Sequence, residues 1–247
     1  AVYEMLTDMK LRIEAGRMLL YETGKIVDLQ KHLTARVQQA QARGEAVDPE
    51  MKMSAKYYER LASVLTPFSK YFNAEMCNRV AYQGIQVMGG SGFMKDYNME
   101  RYYRDARITN IYEGTSQLQV VGAIGGILAG VLNRYFDDFQ QRSFPGKFNP
   151  LVRSTKSMIP LLQKAVQHVK ERHDSEYTDF VSRRIVDMAI DITISILFLD
   201  CAQRDERKAS LAQIWIRDAK QRVSDEYHYI TANRTQIIDL HDEILNQ

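Results

Sequence analysis

The chain is poor in the residues that would make it a disulfide scaffold, a β-protein or a nucleic-acid binder. Of its 247 residues only two are cysteine, Cys77 and Cys201. That is too few for a disulfide-dense secreted fold or a multi-cysteine zinc module, and both read as reduced, buried thiols in helix-like segments. Proline (5) and glycine (13) are scarce beside Leu, Met, Gln, Glu and Lys, which argues against strands and for helices. Charge of one sign is missing as well. With 33 Lys+Arg against 31 Asp+Glu, no net field draws the chain to nucleic acid or to an acidic membrane. The longest apolar run, 118–132, contains Gln119 and several small residues and is too short for a bilayer. No secretory leader is visible: residues 1–3 open straight into an amphipathic pattern, without an initiator methionine. The expectation is a cytoplasmic protein, and a piece of something longer.

What is present is helical periodicity. Val2, Met5, Leu6, Met9, Ile13, Gly16 and Leu20 recur at the three-four spacing of one helix face. Asp48-Pro49 reads as an N-cap followed by proline at the first helical position. Thr66-Pro67 is expected to break the second helix, and Gly89 to Gly92 to stop a third one begun at Phe68. A short helix near Asn98 to Ala106 and an irregular stretch, Ile108 to Gly114, follow. Another helix starts at Thr115 or Ser116, with Gly122, Gly126 and Gly130 forming a smooth ridge suited to a neighbouring helix or to a ligand. Ser143 to Pro150 reads as a linker. Helices beyond it are expected at about 151–172, 175–203, 206–231 and 233–246, the second with a core stripe of Phe180, Ile185, Met188, Ile192, Ile196 and Leu199. The fold class is all-α: an up-and-down bundle over 1–142 and a second helical bundle over 150–247.

The five histidines show no pair at metal-ligand helical spacing, so no metal site is expected. One stretch differs from the rest. Residues 82–119 are dense in glycine, aromatics and paired charge. Glu113 lies there in an irregular loop just before a helix. It is either an acid favoured by a helix dipole or a general base tuned by apolar walls such as Ile111 and Tyr112 and by a bound ligand. The free N–H groups of the helix starting near Thr115 could hold a phosphate or a ring oxygen.

Three ordered motifs carry a resemblance. Gln86-Val-Met-Gly-Gly-Ser-Gly-Phe93, Arg104-Asp-Ala-Arg107 and Ile111-Tyr-Glu-Gly-Thr-Ser-Gln117 resemble the signatures of the C-terminal helical domain of the acyl-CoA dehydrogenase family. Ile13-Glu-Ala-Gly-Arg17 is similar to the helix that opens that domain. The similarity spans about 1–132. The Leu65-Thr-Pro67 break is more like long members with an extra C-terminal helical region, here from 150 onward, where the likeness is architectural.

The resemblance implies an FAD enzyme that desaturates acyl-CoA at the α,β position. Glu113 would take the pro-R α-proton while the β-hydride passes to flavin N5, and Gly114 would lie against the thioester. Gln86, Val87, Met88, Gly89 and Gly90 correspond to a stretch that contacts the FAD of a neighbouring subunit. Thr115, Ser116 and Gln117 correspond to FAD-binding residues at the start of the next helix. Asp105 and its arginines are read as structural ties. Members commonly carry an arginine about a dozen residues after the glutamate, where Gly125 stands here. Implied partners are an acyl-CoA substrate, an electron-transfer flavoprotein or similar acceptor, and further copies in a homo-oligomer. Because the family's N-terminal and middle domains lie outside this sequence, the isolated chain is expected to be inactive. The alternative from another class is a non-catalytic helical oligomerisation or interaction module. A membrane-facing patch at Arg183, Arg184, Arg204, Arg207 and Lys208 is less favoured than a salt-bridged face, because acids are interspersed.

Overall fold

A computed structural model describes residues 2–246. Every regular element among them is a helix, and they divide into two compact units between Gly126 and Ile127. In the first unit, α1 (Val2–Ala42) and α2 (Pro49–Met88) form a long hairpin. Asp48 caps α2 by accepting from the Glu50 N–H at 2.9 Å. Three polar ties fix the register of the pair. The Asp8 carboxylate takes Arg79 and Gln83, Asn73 donates to the Gly16 carbonyl, and Thr23 donates to that of Leu65. Positions near the start of α1 thus meet positions near the end of α2, an antiparallel pairing.

The buried face of α1 is Leu11, Ala15, Leu19 and Ile26. It is rotated from the expected one, since Val2, Leu6 and Leu20 are exposed. Gly16 does belong to it, because a Cβ there would come within 2.3 Å of Asn73 Oδ1. The expected break at Leu65-Thr-Pro67 does not occur, and α2 runs unbroken through Pro67. Proline removes one donor, which leaves the carbonyl of Ser63 without its helical partner, but Ser63 is exposed and water can serve it. Val64, Leu65 and Phe68 are all buried on the other side, and that packing outweighs the local cost.

After α2 the chain makes a one-turn helix, α3 (Gly90–Phe93), then α4 (Asn98–Ala106), a 3₁₀ turn over Arg107–Asn110, and α5 (Ser116–Leu128). A Cβ on Gly122 would meet the Pro67 ring at 3.8 Å, so this glycine faces α2. The expected glycine ridge stops short, however. Gly130 has φ +73 and lies past the end of α5, in a turn before α6 (Asn133–Gln141).

The second unit packs α7 (Asn149–Arg172), α8 (Ser175–Arg204) and α9 (Ala209–Thr231) together, and α10 (Gln236–Leu245) follows with no buried residue. Asp174 caps α8 through the Tyr177 N–H at 2.9 Å. The stripe expected on α8 is only part of its buried surface, because every residue from 188 to 199 is buried and Phe180 is half-buried. Asp191 within this run is neutralised by two hydrogen bonds from Arg222, at 2.7 and 2.8 Å. The 143–150 connection is tied down: Phe144 packs on Phe139, Phe148 is buried, and Lys147 pairs with Glu206. Arg184 binds Glu226 and stands 3.5 Å from the Tyr229 ring centroid, and Arg207 binds Asp205, as a salt-bridged face requires. Both cysteines are half-buried, more open than expected. Among the described residues no single helix is long and apolar enough to cross a membrane.

Candidate active site

Polar side chains on α2 hold the loop between α4 and α5 in place. Asn78 donates to the Ala106 carbonyl at 2.9 Å and to Thr109 Oγ1 at 3.2 Å. Lys70 Nζ donates to the Thr109 carbonyl at 2.5 Å and stands 4.3 Å from the Tyr112 ring centroid. Glu75 accepts from Asn110 Nδ2 at 3.5 Å and from the Ser116 hydroxyl. On the far side, Gln119 Nε2 reaches the carbonyls of Glu113 and Gly114 at 3.3 and 3.4 Å.

This frame leaves the backbone at Glu113 and Gly114 little freedom. Both adopt positive φ, +52 and +91, and a non-glycine residue in the left-handed region is held there by its surroundings. Gly114 has to be glycine, since a Cβ would lie 2.6 Å from Gln119 Nε2 and displace the side chain that holds the turn. The Glu113 side chain is exposed, with no hydrogen bond or ion pair to its carboxylate among the described residues. Ile111 and Tyr112, expected as apolar walls, are themselves 45% and 49% exposed and do not enclose it within this chain. Thr115 is exposed and caps α5 by accepting from the Leu118 N–H at 3.2 Å. Gln117 is exposed as well. Ser116 is buried, with its hydroxyl turned inward to Glu75.

The second motif lies at the far end of α2. Gln86, Met88, Gly89 and Gly90 are exposed and Val87 is half-buried. Gly89 takes φ +60 as the cap of α2. Gly92 is demanded by packing, because a Cβ there would come within 2.9 Å of the Ile85 carbonyl and Met88 Cβ. Gly90 is different: it has no positive φ, and a Cβ would meet nothing within 4 Å. Nothing inside this chain requires glycine there, which suits a surface that an external group approaches closely. At 1.5 Å per helical residue, the anchor at Glu75 and the motif at 86–88 are separated by roughly 16–20 Å along α2. One chain therefore does not bring Glu113 and the glycine turn together into one site.

The framing residues Lys70, Glu75, Asn78 and Gln119 carry no motif of their own. Lys70, Glu75 and Asn78 are three of many polar residues on α2, and Gln119 lies on α5, so sequence order does not set them apart.

Family models match both units. "Acyl-CoA dehydrogenase, C-terminal domain" covers residues 1–123, and "Acyl-CoA dehydrogenase C terminal" covers 129–238. The chain belongs to the acyl-CoA dehydrogenase family. Its membership extends through the second unit, where the sequence offered only an architectural likeness. Among curated relatives, the caffeyl-CoA reductase-Etf complex subunit CarC of Acetobacterium woodii is 30% identical over 128 residues, 52% of this chain and 26% of that one. An acyl-CoA dehydrogenase from Bacillus anthracis complexed with FAD superposes with TM-score 0.68 at 16% identity, over 92% of this chain and 41% of that one. ACDH-11 of Caenorhabditis elegans in complex with C11-CoA gives 0.58 at 18% identity, over 96% and 40%. At those identities the two structures speak to the fold. The chain spans about a quarter of the length of the curated relatives it matches.

Proposed function

We propose that these two helical units are the C-terminal part of an FAD-dependent acyl-CoA dehydrogenase that introduces an α,β double bond into an acyl-CoA thioester, with Glu113 as the base. The observation that carries this is the αL turn at Glu113, which four side chains frame without touching its carboxylate. A carboxylate so held is a proton acceptor presented outward, with its lone pairs free for a substrate. Gly114, beside it, leaves room for the thioester.

FAD suits the surfaces present. Gln86, Val87, Met88, Gly89 and Gly90 would hold it at one place, the open Gly90 backbone allowing close approach. Thr115, Gln117 and the backbone of Ser116 would hold it at another, where the first N–H groups of α5 favour negative charge. When bound, FAD supplies a hydride acceptor. The chain's own part is to take the α-proton onto the Glu113 carboxylate as the β-hydrogen leaves as hydride, so that the electron pair of the α C–H bond becomes the new C=C π bond and that of the β C–H bond departs with the hydride. The separation along α2 favours sharing of each flavin between two copies in a homo-oligomer. An electron-transfer protein would reoxidise the flavin, as the name of the Acetobacterium relative suggests. The isolated chain should lack activity. We place the enzyme in the cytoplasm, in keeping with a chain that has only two cysteines.

Glu113→Gln in the full-length protein tests the assignment. Turnover should fall by about 10²–10⁴-fold, the range of a lost general base, while the flavin absorbance spectrum stays unchanged. Retained turnover would move the base elsewhere.

A further inference from the structure

We infer that Lys70 is a positioning residue for the base: its ammonium group grips the loop at Thr109 and Tyr112 and so fixes the direction in which Glu113 is presented. This rests on Glu113 being the base. Lys70 is half-buried on α2, in a cleft of about 500 Å³ between α1, α2 and the loop that Leu20, Asn73 and Cys77 also line. Its Nζ makes two contacts with the loop, one with the Thr109 carbonyl and one with the face of the Tyr112 ring. The second falls on the residue next to Glu113.

Asn78 shares Thr109 with Lys70, through the hydroxyl, but the other ties do not reach Tyr112. Asn78 holds 106 and 109, and Glu75 holds 110 and 116. Gln119 holds the carbonyls of 113 and 114 from α5. Without Lys70 the two ends of the loop stay fastened, and the middle that carries Tyr112 loses its cationic clamp. Proton transfer demands a heavy-atom approach of about 2.6–3.2 Å, so a small drift of the carboxylate costs rate and leaves ligand binding intact. Methionine at this position would keep the apolar stem and lose both contacts. Arginine would keep a cation able to donate to a carbonyl and to stack on an aromatic ring.

The test uses the full-length, FAD-loaded protein with Lys70→Met and Lys70→Arg. Four quantities are read: kcat, acyl-CoA dissociation constant, flavin content, and exchange of the α-hydrogens of a 3-thia-acyl-CoA with D₂O, a thioester that cannot lose a β-hydride. Lys70→Met should lower kcat and α-hydrogen exchange together by about 10–100-fold, as expected of a misplaced base, with flavin content and acyl-CoA affinity within about twofold of wild type. Lys70→Arg should recover to within about fivefold, because its cation can remake both contacts. Unchanged kcat and exchange in Lys70→Met, or a loss of kcat that tracks loss of flavin, overturns the inference. Amide hydrogen exchange over 107–115 adds a readout independent of turnover. It should quicken in Lys70→Met while 116–128 stays protected, and equal exchange overturns the inference. Glu113→Gln run alongside separates the two claims. If that variant still exchanges α-hydrogens the base assignment fails by itself, and the amide data still decide whether Lys70 orders the loop.

Discussion

The two units differ most in what they leave in water. In the second, every exposed large apolar side chain among the described residues belongs to α10: Ile237, Leu240, Ile244 and Leu245. Its centre is dry, with α8 buried along 188–199 and its one buried carboxylate, Asp191, matched by Arg222. The first unit exposes Phe93 at 74%, together with Met94, Tyr97, Tyr102, Tyr103, Ile108, Leu118 and Val121. Those residues lie in the same 82–121 stretch that holds the glycine turn and Glu113, while Val2, Tyr3, Leu6, Leu20, Tyr21 and Met53 are exposed along the α1–α2 hairpin. Concentrated apolar exposure marks a binding surface. Self-contained packing marks a scaffold. Both units have a buried core, and the first adds an apolar surface that the second has only on α10.

The sharpest way to break that contrast is to damage the dry core. Phe198 is fully buried, with its ring centroid 5.7 Å from that of Trp215. Phe198→Ala should cost about 3–5 kcal/mol through lost burial and the cavity left behind. Trp215 is the only tryptophan of the chain, so its fluorescence during urea unfolding reads the second unit directly. Phe93→Ala, at an exposed site, should stay within about 0.5 kcal/mol. Comparable losses in the two variants would erase the distinction.

The glycine turn offers a finer cut. Gly92→Ala should destabilise the first unit by about 1–3 kcal/mol, because the new methyl presses on the backbone of Ile85. Gly90→Ala should leave the melting temperature alone and weaken flavin retention in the full-length protein. If Gly90→Ala kept its flavin, the open backbone there would have no bearing on the cofactor.

The smallest effect is acid sensitivity in the α1–α2 hairpin. Burial pushes the Asp8 carboxyl upward, but hydrogen bonds from Arg12 and Gln83 and the charges of Arg12 and Arg79 outweigh it. The group is therefore held below its ordinary value of 3.8. A depressed carboxyl stabilises the fold fully above about pH 4 and less as pH falls below that. Circular dichroism melts from pH 6 to pH 3 should show Asp8→Asn losing less stability across that range than the wild-type chain. An identical acid slope would mean that Asp8 does not couple folding to pH.

Much of this was legible in the sequence, and the failures have physical causes. Helical period, the Asp48-Pro49 start and the three motifs lie in local residue order, and they led to the all-helical fold and the family. Pro67 misled because its cost is local, whereas Val64, Leu65 and Phe68 draw their stability from burial against distant residues. The face of α1 was misjudged for the same reason: Thr23 sits inward because Leu65 lies opposite. The positive φ at Glu113 could not be read, since glutamate has no preference for it and the constraint comes from Gln119, six residues on. The ties from Lys70, Glu75 and Asn78 span about thirty to forty residues of sequence, beyond any local pattern.

The unbroken α2 has a consequence of its own. It carries the fastenings of the Glu113 loop and the 86–90 turn on a single rod, so the azimuth between them is set by the number of residues that intervene. Inserting or deleting one residue between 79 and 85 would swing the glycine turn by about 100° about the rod, and only a change of close to a full turn, about 3.6 residues, would bring it back into line. Chain length in that span is therefore a mechanical specification, as binding on the fold as the identity of any side chain.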